Sequence, residues 1–330
     1  MPTVLAVDIG RTGCRAELWQ GSSSAPEAVA TGNGSLGLGA ERGPEVAEAA
    51  ILAVVGPLLE GRGTGCVDAV GVGAPGAMHA PAMASVLAER LAGSLPARMV
   101  AVTSDAITSH AGALAGKPGV VLAIGTGAVT VAIGADHRFH RVDGWGPWIG
   151  DRGSGAWIGR HGLQAVARAT DGRGPATVLA AAAQSQFGSI HRLAAKLGSD
   201  PNPARTLAAF APSVADAARN GDPVAMEVLE VAAAGLAHSM IAAARSLGAP
   251  GPVAAAIVGG LAAMGPILLD PLRSTIARAS IHLELQPPEG SSVDGARCLA
   301  VFRDGIHEQW VVRAERKTSA ATGSHICGGT

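Results

Sequence analysis

Tyrosine is absent from this sequence of 330 residues, and aromatic residues make up only 3% of it. An excess of charge of one sign is also lacking, because 25 lysines and arginines nearly balance 26 aspartates and glutamates. Nucleic-acid-binding proteins use stacking rings and a basic surface, and this composition offers neither. We therefore expect no nucleic-acid partner.

Cysteine is scarce, and its positions match no zinc pattern and form no Cys-x-x-Cys pair. The four residues are Cys14, Cys66, Cys298 and Cys327. The composition is typical of reduced thiols in a protein of the cytoplasm.

Long hydrophobic runs are missing as well. The two longest weakly polar stretches, 120–135 and 254–269, are interrupted by glycine or proline and are too short to span a bilayer. The first ten residues carry Asp8 inside a short apolar run and have no basic segment before it, unlike a signal peptide. We expect no membrane partner.

Glycine, by contrast, is abundant, with 46 residues, and hydrophobic residues make up 48% of the chain. At roughly 150 residues per domain, the length predicts about two domains with well-formed cores. Many tight turns and close backbone approaches are available to such a chain.

An internal repeat supports two related α/β halves. An apolar strand, a glycine-containing turn and two further strands occur twice, starting near residue 3 and near residue 119. The predicted strands are 3–7, 14–19 and 27–31 in the first block, and 119–124, 128–133 and 138–142 in the second.

The two glycine-containing turns occupy matching positions in this repeat. They are Gly10-Arg11-Thr12 and Gly125-Thr126-Gly127. Backbone N–H groups without a neighbouring Cβ can cradle a phosphate, so the pair could hold the phosphates of one nucleotide. One such turn alone is typical of any hairpin. Asp8, before the first turn, could then hold Mg²⁺ through water.

Asp105 ends a predicted strand and begins the helical run 106–115. Two interpretations remain open for it. A strand-end aspartate is often the N-cap of the following helix. The same carboxylate could act as a general base that accepts a proton from an attacking hydroxyl.

Three of the five tryptophans fall in the segment 144–159, among several glycines and Asp151. Apolar ring faces, a carboxylate and close backbone approach together suit a ligand with many hydroxyl groups. A purely structural loop is the alternative.

Taken in order, these motifs resemble the acetate and sugar kinase/Hsp70/actin superfamily. Within it, the chain is similar to the N-acetylglucosamine kinase family, which is grouped with the BadF/BadG/BcrA/BcrD ATPases. The resemblance covers residues 3 to 304. It is carried by Asp8-Ile9-Gly10-Arg11-Thr12, Thr103-Ser104-Asp105-Ala106, Gly125-Thr126-Gly127, the block from Gly144-Trp145-Gly146 to Gly150-Asp151-Arg152-Gly153-Ser154, and Val258-Gly259-Gly260.

The resemblance implies an α/β fold of two ribonuclease H-like domains around a central cleft. The expected boundaries are 1–112 for the N-terminal domain and 113–312 for the C-terminal, nucleotide-binding domain. The last helix, 294–304, could pack back on the first domain. We expect residues 313–330 to form a disordered tail.

The resemblance further implies an enzyme of the cytoplasm, a homodimer, that uses ATP and Mg²⁺ to phosphorylate the 6-hydroxyl of an amino sugar. Asp105 would be the catalytic base and Asp8 would assist Mg²⁺. Sugar would contact Asp151 and the loop Gly144-Trp145-Gly146, with Asn33 as a further ligand. Phosphates would lie on Gly10-Arg11-Thr12 and Gly125-Thr126-Gly127, and adenosine beside Gly259 and Gly260.

The sequence departs from the family pattern at three positions. Arg11 stands where glycine is usual, Gly13 where lysine is usual, and Arg152 where glutamate is usual. A cationic Arg11 can still serve phosphate. The charge reversal at Arg152 leaves the identity of the amino sugar open. It could be N-acetylglucosamine, glucosamine, another hexosamine or a muramic derivative.

Two other function classes compete with a sugar kinase. One is a BadF-type ATPase that couples ATP hydrolysis to electron transfer or to another partner; such proteins hold an iron–sulfur cluster through paired cysteines, and the sequence shows no plausible pair. The other is a non-catalytic sensor of ATP or sugar, which the presence of Asp105 beside both turns disfavours.

Overall fold

The structure is a computed structural model that describes residues 2–21, 23–60 and 66–316. These residues divide into two units. Unit 1 contains the described residues of Met1–Lys117, Ala135–His137 and Pro288–Thr330. Unit 2 contains Pro118–Gly134 and Arg138–Pro287.

The strands of the described chain, in order, are β1 (Thr3–Ile9), β2 (Cys14–Gln20), β3 (Ala28–Gly32), β4 (Val67–Ala74), β5 (Ala97–Ser104), β6 (Gly119–Ile124), β7 (Ala128–Ile133), β8 (Phe139–Asp143), β9 (Val253–Val258), β10 (Leu283–Leu285) and β11 (Val312–Glu315). The α-helices are α1 (Gly43–Glu60), α2 (Pro81–Ser94), α3 (Asp105–Ala113), α4 (Gly155–Thr170), α5 (Leu179–Phe187), α6 (Ile190–Gly198), α7 (Pro203–Ala208), α8 (Ala211–Arg219), α9 (Pro223–Ser246), α10 (Pro266–Ala277) and α11 (Ser292–Val301).

Unit 1 is built on a sheet with the strand order β11–β5–β4–β1–β2–β3. Strands β1, β2 and β3 form an antiparallel meander, whereas β1, β4 and β5 run parallel. Parallel strands need both faces covered, which explains the nearly continuous apolar sequences of β1 and β4. Helices α1 and α2 pack on one face, and α11 covers Val4, Ala6 and Trp19 on the other.

Unit 2 repeats this plan with the strand order β10–β9–β6–β7–β8. Again the first three strands, β6, β7 and β8, form an antiparallel meander, and β6 is parallel to β9 and β9 to β10. The repeat predicted from the sequence therefore corresponds to two sheets of the same topology. The predicted fold class, an α/β protein of two ribonuclease H-like domains, is confirmed.

Helix α9 is the central helix of unit 2. It begins at an N-cap, Asp222, whose side chain accepts a hydrogen bond from Ala225 N, followed by Pro223 at the first helical position. By length and composition alone it could cross a membrane, but 61% of its most apolar 18-residue window is buried inside the structure. Its apolar residues pack in the core of unit 2.

The last helix packs on the first unit, as the sequence allowed for residues 294–304: α11 lies on the sheet of unit 1. The whole segment from residue 288, expected within the boundary 113–312, groups with that unit. Residues 313–315 belong to β11, which pairs antiparallel with β5, so the tail predicted to be disordered from 313 begins as a strand. Thr103 Oγ1 also donates to Trp310 O at 2.7 Å. These residues are ordered because they pair with β5, which the polar local sequence does not predict. The rest of the tail, 317–330, lies outside the described residues.

Candidate functional site

In unit 1, the parallel strands bring two carboxylates to one sheet edge. Asp8 lies near the end of β1 beside Gly73 of β4, and Gly73 pairs in turn with Thr103 of β5. Asp105 follows β5 directly as the first residue of α3. The carboxyl ends of parallel strands are where ligands bind in open α/β sheets.

Asp105 is half-buried at this edge. Its Oδ1 accepts hydrogen bonds from Ala106 N at 2.9 Å and from Ser104 Oγ at 3.2 Å. Burial raises the pKa of Asp105, while these hydrogen bonds and the charge of Arg11 oppose the rise. The N-cap of α3 is Ser104, whose side chain accepts from Ala106 N, so capping does not depend on Asp105 alone. A more basic carboxylate is a better proton acceptor.

Asp8 is the second carboxylate. Its Oδ1 accepts a hydrogen bond from Ser292 Oγ at 2.8 Å. Burial raises the pKa of Asp8 to about 6; the Ser292 hydrogen bond opposes this, and the charge of Asp105 adds to it. A divalent cation prefers carboxylate oxygens and would relieve the repulsion, so these residues fit Mg²⁺.

The first predicted phosphate turn is closed by a hydrogen bond from Gly10 N to Gly13 O at 2.8 Å. The loop after β3 packs against it, because Ser35 N donates to Gly10 O at 3.0 Å. A Cβ at Gly34 would overlap that same carbonyl oxygen, so the close approach requires glycine. Asn33 is brought beside this turn. The side chains of Arg11, Thr12 and Asn33 are exposed there.

The second predicted phosphate turn lies in unit 2, between β6 and β7. Gly125 N donates to Gly127 O at 2.9 Å. The first residues of α4 donate to the turn: Gly155 N to Gly125 O at 2.8 Å and Ala156 N to Thr126 O at 3.1 Å. The helix terminus therefore fixes the backbone of the turn while satisfying its own N–H groups.

Asp151 lies against this turn. Its Oδ1 accepts Gly146 N at 3.0 Å, and a Cβ at Gly127 would lie 2.7 Å from its Oδ2. The side chain is buried, and the residue adopts φ +53°. Asp151 thus holds the predicted sugar loop by a hydrogen bond and packs against the predicted phosphate turn of the same unit.

Asp143, at the end of β8, was not singled out in the sequence. Its Oδ1 accepts Asp151 N at 2.7 Å and its Oδ2 accepts Arg152 N at 2.9 Å. The signal that could have found it is the Asp-Gly pair with Gly144, a turn sequence at the end of a strand. Both residues adopt positive φ, 61° and 76°.

The tryptophans of the segment 144–159 separate into two kinds. Trp145 and Trp148 are 63% and 66% exposed, and the Arg141 guanidinium lies 4.6 Å from the Trp145 ring centroid. Trp157 instead belongs to α4 and stacks on His161 with ring centroids 3.5 Å apart. Only the first two present ring surface that a ligand could contact.

Gly259 and Gly260, the predicted adenosine contacts, follow β9. A Cβ at Gly259 would overlap the carbonyl oxygen of Ile124, and the residue adopts φ +101°. Ile124 ends β6 directly before Gly125, so Gly259 lies against the start of the second turn. Gly260 has no neighbouring atom within 4 Å of the Cβ position.

His110, on α3, is buried. Its Nδ1 lies 3.0 Å from Nε2 of His307, which is also buried. Burial lowers the pKa of His307 to about 3, and the charges of His110 and His137 add to this. The pair is part of the packing of the C-terminal segment in unit 1.

Two curated relatives match part of the chain. An N-acetylmuramic acid/N-acetylglucosamine kinase of Clostridium acetobutylicum is 35% identical over 80 residues, which are 24% of this chain and 26% of the relative. An N-acetyl-D-glucosamine kinase of Dictyostelium discoideum is 39% identical over 79 residues, 24% and 25% of the two chains. The match thus spans about a quarter of the length of these relatives.

Solved structures match over nearly the whole chain. A crystal structure of a candidate N-acetylglucosamine kinase from Chromobacterium violaceum has a TM-score of 0.72 and 29% identity, and the match covers 91% of this chain and 99% of that one. A ROK family glucokinase from Streptomyces griseus, in complex with glucose and AMPPNP, has a TM-score of 0.58 and 20% identity, with coverages of 90% and 99%. The second likeness shows the fold alone.

The family model described as the BadF/BadG/BcrA/BcrD ATPase family matches residues 5–296. This range begins in β1, includes both turns and both carboxylates of unit 1, and ends within α11. The chain therefore belongs to the BadF/BadG/BcrA/BcrD ATPase family.

Proposed function

We propose that the protein is an ATP-dependent kinase that phosphorylates the 6-hydroxyl of an amino sugar, N-acetylglucosamine or glucosamine. The observation that carries the proposal is the half-buried Asp105, held at the same sheet edge as Asp8 in a chain whose relatives are named as kinases of such sugars. Phosphoryl transfer depends mostly on positioning and charge, so few polar residues suffice.

Asp105 acts as the general base in this proposal. Its carboxylate accepts the proton of the 6-hydroxyl while the oxygen forms a bond to the γ-phosphorus, and ADP leaves as the β,γ-bridging bond breaks. Burial favours this role by raising the pKa of Asp105. The hydrogen bonds from Ala106 N and Ser104 Oγ hold the carboxylate in one orientation.

Asp8 is the residue that would hold Mg²⁺, directly or through water. When bound, the ion would neutralise part of the negative charge of the phosphates. In its absence, the half-buried Asp8 is an unfavourable anion, which is reflected in its raised pKa. The hydrogen bond from Ser292 keeps the carboxylate oriented.

Nucleotide phosphates would contact the backbone of Gly10, Arg11 and Thr12 in unit 1 and of Gly125, Thr126 and Gly127 in unit 2. Support comes from the bracing of each turn within its own unit, by the loop after β3 and by the N-terminus of α4. Gly10 N and Gly125 N donate within their own turns, so the N–H groups of the residues that follow in each turn would be the donors to phosphate. Gly259 and Gly260 would lie by the adenosine.

The amino sugar would contact the loop Gly144-Trp145-Gly146 and Asp151, with Asn33 as a further ligand. The exposed Trp145 ring can cover apolar sugar C–H groups. Asp143 and Asp151 hold the loop through its backbone, so the loop is ordered before a ligand binds. We further propose that the enzyme acts in the cytoplasm as a homodimer.

The test is the release of ADP from ATP in the presence of Mg²⁺, with and without a panel of amino sugars. We expect one sugar to stimulate turnover strongly and its 6-phosphate to be found by phosphorus NMR. Asp105→Asn should lower kcat by about 100- to 10,000-fold. Ser109→Ala, a change on the same helix, is the matched control for folding.

Turnover of ATP that no sugar stimulates would contradict the proposal. In that case a BadF-type ATPase that couples hydrolysis to another partner would be favoured, particularly if the purified protein carried iron. A 1-phosphate or 3-phosphate product would contradict the 6-hydroxyl assignment alone.

A further inference from the structure

A hydrogen-bonded chain links the Asp8 carboxylate to α3, the helix that begins with Asp105, through residues that no motif identified. Ser292 Oγ lies 2.8 Å from Asp8 Oδ1 and 2.7 Å from Thr108 Oγ1. Thr108 Oγ1 lies 3.0 Å from the backbone oxygen of Asp105. Ser292 begins α11, 284 positions along the chain from Asp8.

The direction of the chain follows from its donors and acceptors. An ionised Asp8 can only accept hydrogen bonds, so Ser292 donates its single hydroxyl proton to that carboxylate. The bond between the two hydroxyls then requires Thr108 to be the donor. Thr108 donates its single proton to Ser292 rather than to Asp105 O, and Ser292 donates to Asp8, an arrangement in which each bond strengthens the next.

The helices that carry these hydroxyls are held in very close contact by glycine. A Cβ at Gly295 of α11 would overlap the backbone oxygen of Thr108, and a Cβ at Gly112 of α3 would overlap that of Ser291. Because the two backbones touch, Ser292 has a fixed position relative to the helix that begins with Asp105.

Ser292 is not needed to cap its own helix. The N-cap of α11 is Ser291, whose side chain accepts Asp294 N at 3.3 Å, while the Asp294 carboxylate accepts Ser291 N at 2.8 Å. This reciprocal capping box satisfies the helix terminus. The Ser292 hydroxyl is therefore available for Asp8.

We propose that Ser292 is a positioning residue for the phosphoryl transfer. It orients the Asp8 carboxylate toward the metal–nucleotide and, through Thr108, couples that orientation to the helix that presents Asp105. This inference rests on the proposed function. It adds two residues, Ser292 and Thr108, that act through the Asp8 carboxylate and through α3 without touching substrate.

The experiment compares Ser292→Ala, Ser292→Thr and Thr108→Val with Ser291→Ala as the matched control. Kinase activity is measured against Mg²⁺ concentration, and thermal unfolding is followed for each variant. Binding of Mg·ADP is measured by titration calorimetry without sugar, so that one readout is independent of turnover.

We expect Ser292→Ala to raise the Mg²⁺ concentration at half-maximal activity by about 10- to 100-fold and to lower kcat, with the KM for sugar unchanged. Ser292→Thr keeps the hydroxyl and should restore most of the Mg²⁺ response. Thr108→Val should have an intermediate effect. Ser291→Ala should lower the unfolding temperature and leave the Mg²⁺ response unchanged.

Equal Mg²⁺ responses in Ser292→Ala and Ser291→Ala would overturn the inference, because the serine would then matter only for folding. Failure of Ser292→Thr to restore the response would do the same. If the wild type phosphorylates no amino sugar, the proposed function fails on that result. The inference then stands or falls on Mg·ADP affinity in Ser292→Ala against Ser291→Ala.

Discussion

The Asp143 carboxylate accepts the backbone N–H of Asp151 at 2.7 Å, and its second oxygen accepts Arg152 N at 2.9 Å. Asp143 ends β8 and Asp151 lies shortly before α4, so one side chain closes the whole loop 144–150. Both residues adopt positive φ, 61° and 53°. The loop proposed to bind the sugar is thus held by a residue whose carboxylate accepts hydrogen bonds from backbone N–H groups.

Replacing Asp143 should weaken sugar binding more than ATP binding. We expect Asp143→Ala to raise the KM for the amino sugar by about 10-fold or more, because two charge-assisted hydrogen bonds that order the loop are lost. Asp143→Asn keeps one acceptor and a residue type that tolerates positive φ, so its effect should be smaller. Steady-state kinetics with each substrate varied would measure both. Equal increases in the two KM values would contradict the assignment.

Two adjacent glycines give a matched pair of substitutions beside the second turn. Gly259→Ala should reduce the free energy of unfolding by about 2–5 kcal/mol, because the residue has φ +101° and the new Cβ would overlap Ile124 O. If the end of β6 moves to relieve this overlap, Gly125 also moves, and the KM for ATP should rise. Gly260→Ala meets no neighbouring atom and is the control. Chemical denaturation and nucleotide titration should separate the two variants; equal behaviour would refute this account.

Asp8→Asn should abolish the Mg²⁺-dependent activity and yet stabilise the protein at neutral pH. The pKa of Asp8 is raised to about 6, so its contribution to stability is complete below the unfolded value near 4 and is lost as the pH rises through 6. Asparagine removes the buried charge and still accepts from Ser292. In chelator at pH 7.5, we expect a gain on the order of 1–3 kcal/mol in the free energy of unfolding. A variant less stable than the wild type would argue against this electrostatic cost.

His307 should make the free energy of unfolding depend on pH in the direction opposite to Asp8. Its pKa is lowered to about 3, so between pH 6.5, the ordinary value for histidine, and pH 3 only the unfolded chain takes up the proton. The stabilising contribution is complete above pH 6.5 and falls by about 1.4 kcal/mol for each pH unit below it. Urea denaturation at pH 7.5 and pH 5 should show this loss in the wild type and a weaker one in His307→Gln. An unchanged slope in the variant would rule out His307 as the source.

The strand repeat could be predicted from the sequence because each strand carries its own signal. β6 and β7 lie where the alternation of apolar runs and the Gly-Thr-Gly turn indicated them, at Gly119–Ile124 and Ala128–Ile133. Local turn chemistry and apolar periodicity do not depend on distant residues. The same holds for Asp8 and Asp105, whose strand-end positions are local features.

The supporting residues could not be found in this way. Ser292 and His307 lie in local sequences that match no motif. Each acquires its role from a partner roughly 200 or more positions away. The order of residues 312–315 has the same origin, since β11 exists through its pairing with β5.

The strands of both sheets, the two glycine turns and the candidate base could be predicted locally, because hydrophobic periodicity and glycine placement act over a few residues. Tertiary packing, in contrast, leaves Asp8 half-buried beside a second carboxylate and held by α11, and it sets Asp151 against the second turn. The physical reason is that desolvation and hydrogen-bond geometry are set by which distant segments pack together, and glycines such as Gly112 and Gly295 allow that packing without showing its partner in the sequence.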